Sequence, residues 1–231
     1  MLPLFFQPHQ AQGANEEELN RLTRFFETVV FGSEEDPRLA SRVIAKWRSR
    51  PITVAIQGRL NKHHGAYASA HLTRMAKWTG LRFKQAKKSE IGKADLHLLF
   101  VRRKEMQSLK FGNIPPSLIA KLGRSGGCYF ISMKKPPSKI VKAFIVVNIE
   151  RDDLAINACL LEEIAQSLGL PNDTNIYRPS IFSDLDRLTV PSPQDEILIR
   201  TLYDPKLRAG MPRTAAMKQV RELIQERLQR P

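Results

Sequence analysis

Apolar residues recur at three- and four-residue spacing from Leu19 through Leu22, Phe25, Phe26 and Val29 to Val30, which outlines one face of a helix. Asn15 and the glutamates behind it offer a capping side chain and negative charge to the positive end of that helix, and Gly32 offers a stop. A second helix is expected from Asp36 or Pro37 to Trp47. From Ile52 the period shortens: Ile52 to Gln57 is short and β-branched, Ala66 to Trp78 is helical, Arg82 to Ala86 alternates, and Ala94 to Val101 is an apolar run.

After a basic stretch rich in glycine and proline, Cys128 to Met133 and Ala143 to Ile149 read as two further strands. A helix from Asp152 or Asp153 to Leu168 follows at once. Gly169 suits the position just past its last turn, and Pro171 prevents continuation. Ser192-Pro193 opens another helix, because proline at the first helical position gives up only an N–H that lacks an intrahelical partner. Over Thr214 to Leu228, the residues Met217, Val220, Leu223, Ile224 and Leu228 share a face, which predicts a final helix packed on the core rather than on a partner. No repeat of fixed period is present, so one large core with additions is the simplest organisation.

Composition changes this picture little: 42% hydrophobic and 26% charged residues in 231 are ordinary for a globular chain. No apolar run is long enough to cross a bilayer, so the chain is not expected to be an integral membrane protein. Charge changes it more. The formal net charge of +14 comes from clusters at Arg82 to Lys88, Arg102 to Lys110, Lys121 to Arg124 and Lys134 to Lys142, and from the last helix. Such a surface attracts polyanions in a salt-sensitive way, but no helix-turn-helix, ribonucleoprotein or zinc-finger pattern accompanies it, so no specific nucleic-acid partner is expected. The two cysteines, Cys128 and Cys159, suit either a disulfide or two buried thiols. Met1 to Ala14 reads either as the stub of a signal peptide or as a tail.

The chemistry is concentrated at Glu162 to Asn172, which reads E-E-I-A-Q-S-L-G-L-P-N. It resembles the metzincin zinc-protease helix H-E-x-x-H-x-x-G-x-x-H, in which two histidines a turn apart and a third beyond a glycine meet at one zinc ion. The histidine slots fall at Glu162, Gln166 and Asn172, the general base falls at Glu163, and the glycine is kept as Gly169. Ser180, Ile181, Phe182 and Asp184 lie where a metzincin carries its methionine turn, with phenylalanine for the methionine. The stretches Cys159, Glu162-Glu163, Gln166, Leu168 to Leu170, Asn172-Asp173, Ser180 to Phe182, Asp184, Leu202 to Pro205 and Gly210-Met211 also resemble an uncharacterised bacterial secreted family, domain of unknown function 2927. The two resemblances imply an α+β fold: a zincin-like mixed sheet with a motif helix over 51–212, an N-terminal helical extension over 15–50 after a tail or remnant over 1–14, and a C-terminal helix over 213–231. They also imply an extracytoplasmic location, and in that setting Cys128 and Cys159 are expected to be bonded to each other.

Zinc hydrolysis needs three protein ligands, a fourth position for water and a carboxylate to take its proton. Glu162, Gln166 and Asn172 offer one carboxylate and two amides, a hard and weak set that suits calcium or magnesium sooner than zinc. The same residues also read as polar groups that organise the segment after the helix. His63 and His64 in a loop, His71 on a helix and His97 on a strand read as hydrogen-bonded structural histidines, and His9 in the tail carries no signal. Gly126-Gly127 lacks the lysine and hydroxyl of a phosphate loop, and Cys128 has no nominated histidine partner for nucleophilic work. The expectation is therefore a non-catalytic binding or structural module of the cell envelope that needs no cofactor and meets a protein or an acidic envelope component. The alternative is a divergent metal-dependent hydrolase with Glu163 as base and a divalent ion as cofactor.

Overall fold

The computed structural model describes residues 8–32, 40–47, 51–136 and 138–229. In chain order the elements are α1 (Pro8–Phe31), β1 (Lys46–Trp47), β2 (Ile52–Gly58), α2 (His64–Thr79), β3 (Phe83–Gln85) and β4 (Leu96–Val101). Two short helices follow, α3 (Arg103–Met106) and α4 (Pro116–Leu122), then β5 (Cys128–Lys135) and β6 (Lys139–Asn148). The chain closes with α5 (Asp153–Ser167), α6 (Pro193–Leu202) and α7 (Arg213–Gln229).

The architecture is mixed α/β with a mostly parallel sheet. Strand order runs β1, β6, β4, β2, β3, all in parallel pairs, and β5 adds antiparallel to β6 from Cys128↔Val147 to Lys135↔Lys139. Strands β4 and β6 are apolar almost throughout because helices cover the sheet, the condition under which parallel strands lose their alternation. A main core gathers Phe25 and Phe26 of α1, Leu98 and Phe100 of β4, Leu161 and Ile164 of α5 and Leu223 of α7. A second cluster, with Met106, Phe111, Ile119 and Tyr129, sits under the stretch that the sequence marks only as a basic insertion.

Two sequence expectations are corrected in this part of the chain. The first helix is not capped by Asn15: α1 already runs from Pro8, so Asn15 lies inside it. Of the helix expected from Asp36 or Pro37 to Trp47, residues 33–39 lie outside the described residues, and 40–47 are not helical. Lys46 and Trp47 are extended and pair with Lys139 and Ile140 of β6. Tertiary bonds decide this, since Ile44 N donates to the Met211 carbonyl and Trp47 Nε1 to the Ser167 carbonyl at 2.9 Å.

Apart from α3 and α4, the remaining elements follow the pattern closely. Asp152 caps α5 through a bond from Ala155 N at 2.7 Å, and Gly169, at φ 112°, turns the chain away after it. That glycine is required twice over: a Cβ there would come within 2.1 Å of the Ala45 carbonyl oxygen. A disulfide joins Cys128 on β5 to Cys159 on α5 across a separation of 31 residues. Closing a loop of that size contributes roughly 4 kcal/mol in the chain-entropy account.

Candidate functional site

Helix α5 packs against β5 and β6, and the face it leaves open forms one wall of a cleft of about 1080 Å³. The opposite wall is the outer strand β5 with Gly126 and Gly127 ahead of it, and the far end is closed by the chain that returns after α5, at Pro171, Asp173, Asp184 and Asp186. The lining carries both signs of charge, with Glu162, Asp173, Asp184 and Asp186 on one side of the balance and Arg103, Lys121, Lys134, Arg151 and Arg187 on the other.

Helical spacing puts Glu162 and Gln166 one turn apart on the cleft face, and Glu163 also reaches the lining although it is only 5% exposed. Carboxylate oxygens of Glu162, Asp173 and Asp184 lie within 4.8 Å of one another. Gln166 belongs to the same group by a bond: its amide Nε2 donates to Asp173 Oδ1 at 2.6 Å.

Asn172 is placed elsewhere. It is buried beside the end of α1, where its N–H donates to the Val29 carbonyl and its Nδ2 donates to the Asp173 carbonyl at 2.9 Å. A Cβ on Gly32 would come within 2.7 Å of that Nδ2, so the amide fills the space the glycine leaves. Positions 162 and 166 thus meet at the cleft, position 172 does not, and Asp173 stands where the third residue of the pattern was expected.

The turn at Ser180 to Asp184 is held from below. Ser180 Oγ and Ile181 N donate to the two oxygens of Asp195 at 2.6 and 3.1 Å, and Ser192 N donates to the same carboxylate at 2.7 Å. Phe182 fills the core edge-on to Phe25. Burial pushes the Asp195 carboxyl up, against the pull of its hydrogen bonds. On the outside of the turn Arg178 clasps Asp186 at 2.9 Å, and that contact holds the Asp186 carboxyl below the usual range. Asp195 was not singled out from sequence. Its signal was present as Ser192-Pro-Gln-Asp195, a capping box in which the serine and the acid satisfy each other's backbone N–H groups.

None of the described histidines lines the cleft. His64 stacks on Phe100, His71 bonds Asn157 at 2.7 Å, and His97 sits between Gln57 and the Ala94 carbonyl. Desolvation lowers the pKa of all three.

A family model described as a protein of unknown function, DUF2927, matches residues 20–222. The chain belongs to this family. The match runs from within α1 to within α7, so membership covers the sheet, the cleft and the turn together. No curated protein matches the chain. The family description brings no reaction with it, and the chemistry of the cleft has to be read from its side chains.

Zinc is the ion a metzincin-like helix implies, and the residues here do not fit it. Three carboxylates supported by an amide are hard oxygen donors, and none of the described histidines lines the cleft beside them, so the donor chemistry suits calcium or magnesium sooner than zinc.

Proposed function

We propose that this protein is a non-catalytic binding or structural module of the cell envelope, built on a zincin-like frame whose zinc position has been converted to oxygen ligands. The donor set carries this reading: Glu162, Asp173 and Asp184 bring carboxylate oxygens, not imidazoles, within 4.8 Å of one another, and Gln166 braces Asp173. The frame supports it through order alone. A strand, a helix, two parallel strands, an antiparallel pair and then the motif helix ending at a glycine is the sequence of elements that a zincin N-terminal subdomain would have.

An extracytoplasmic setting is supported by the Cys128–Cys159 bond, since such bonds persist in oxidising compartments. Among the described residues no helix is long and apolar enough to cross a membrane. The partner of such a module is a protein or an acidic envelope component, for which a chain of net charge +14 has the complementary sign.

A second reading has one observation in its favour. Glu163, buried at the cleft wall beside Glu162, occupies the general-base position, so a divergent metal-dependent hydrolase would use it to deprotonate water. Elemental analysis and calorimetric titration with zinc and calcium separate the two, on protein purified without a histidine tag or chelator. The module retains no zinc and titrates it only weakly. Stoichiometric tight zinc, or peptide hydrolysis abolished by Glu163→Ala, overturns the module in favour of the hydrolase.

A further inference from the structure

The Cys128–Cys159 bond is the one covalent tie among the described residues between the two walls of the cleft, and its surroundings are unequal. Both cysteines line the cleft, but Cys128, at the first position of the outer strand, is only half-buried, whereas Cys159, on the second turn of α5, is 3% exposed. Arg151, just ahead of α5, turns back so that Nη1 stands 3.3 Å from Cys159 Sγ. Its path is made by glycine: a Cβ on Gly127 would lie 2.9 Å from that same Nη1. The guanidinium therefore lies over Gly127 and against the Cys159 sulfur, and Cys128 is the cysteine with the greater exposure.

We infer that this disulfide is a site of thiol–disulfide exchange, attacked at Cys128 by a thiolate entering the cleft, with Cys159 as the leaving thiolate held by Arg151. Exchange rates depend on which sulfur is reached and on how well the other sulfur carries charge as it leaves. Access selects Cys128. Charge selects Cys159, since a cation beside a sulfur favours its thiolate.

The steps balance with a dithiol as reductant. Its first thiolate bonds to Cys128 Sγ as the Cys128–Cys159 bond breaks, and the electron pair departs on Cys159 Sγ beside the guanidinium. The second thiol, deprotonated, then attacks its neighbour in the mixed disulfide and releases Cys128. The reductant leaves as a disulfide, and the chain has gained two electrons and two protons. β5 and α5 are then no longer joined, so the width of the cleft becomes free of that constraint.

Folded, oxidised protein treated with reduced glutathione and quenched with iodoacetamide shows which sulfur is attacked. The expected first species carries glutathione on Cys128 and the alkyl group on Cys159, without denaturant. Arg151→Met slows its formation severalfold, because a leaving thiol of higher pKa departs more slowly. Arg151→Lys restores most of the rate. In Cys128→Ser protein, Arg151→Met moves the ultraviolet thiolate titration of Cys159 upward, a change that loss of packing alone does not produce. Circular dichroism checks that each variant is folded, and the mapping of the attacked sulfur requires no variant. Glutathione on Cys159, an adduct that forms only in denaturant, or a folded Arg151→Met with unchanged rate and titration overturns the inference.

Discussion

Asp173, rather than Asn172, is the residue beyond the glycine that reaches the cleft, and this makes a sharp test of its geometry. The backbone after Gly169 sends Asn172 down against Gly32 and Val29, so a histidine at 172 would have to displace packing before it met an ion. The variant combining Glu162→His, Asp173→His and Asp184→His should therefore gain zinc affinity in the micromolar range or better. The variant with Glu162→His, Gln166→His and Asn172→His, designed from the spacing alone, should not. Calorimetry on both, with circular dichroism as the folding control, decides it. Equal zinc binding by the two would mean that the cleft does not discriminate between neighbouring positions.

At the scale of elements, the turn that carries Asp184 depends on α6 through one side chain. Asp195 accepts from Ser180 Oγ, Ile181 N and Ser192 N, and it is fully buried. Removing it leaves three donors in a dry environment, so Asp195→Ala should cost about 3 kcal/mol or more of stability in urea unfolding. The loss should reach the cleft as well, because Ser180 and Asp184 lie on one turn. A variant within about 0.5 kcal/mol of the wild type would show that water or a neighbour replaces the carboxylate. The same capping box was readable as Ser192-Pro193-Gln194-Asp195, but its reach to Ser180 was not, since nothing local links residues that far apart. The elements themselves divide along this line. α5 was legible because Asp152, Gly169 and Pro171 mark both of its ends, whereas α3 and α4 are too short to show a period and lie in a stretch whose glycines and prolines suggest loop.

Across the whole molecule, three buried histidines among the described residues contribute to the response to acid. Desolvation lowers the pKa of His64, His71 and His97 in the fold, so the unfolded chain takes up protons first as pH falls. The stability they contribute is present above the ordinary histidine value of about 6.5 and is lost as pH drops below it toward the folded values. The thermal midpoint should accordingly fall between pH 7.5 and 5, about the histidine range. His71→Gln, which keeps a hydrogen-bonding group beside Asn157, should flatten part of that slope. A midpoint that stays level or rises over the range would mean that carboxyls such as Asp195, shifted in the opposite direction, dominate.

What the sequence alone determined is local. Periodicity, caps and stops placed β2, α2, β3, β4, β5, β6, α5, α6 and α7, because each of those signals acts within one or two turns of chain. The motif residues Glu162, Glu163 and Gln166 lie on the face of α5 that lines the cleft. Tertiary structure alone decided the rest. It made Lys46 and Trp47 a strand, since β6 and Ser167 offered bonds that outweighed a helical spacing. It chose Asp173 over Asn172, because the left-handed turn at Gly169 and the packing against Gly32 set the direction of the chain. It also brought Asp184 to Glu162 and set Arg151 beside the disulfide, contacts whose energy depends on distance in space and leaves no period in the chain.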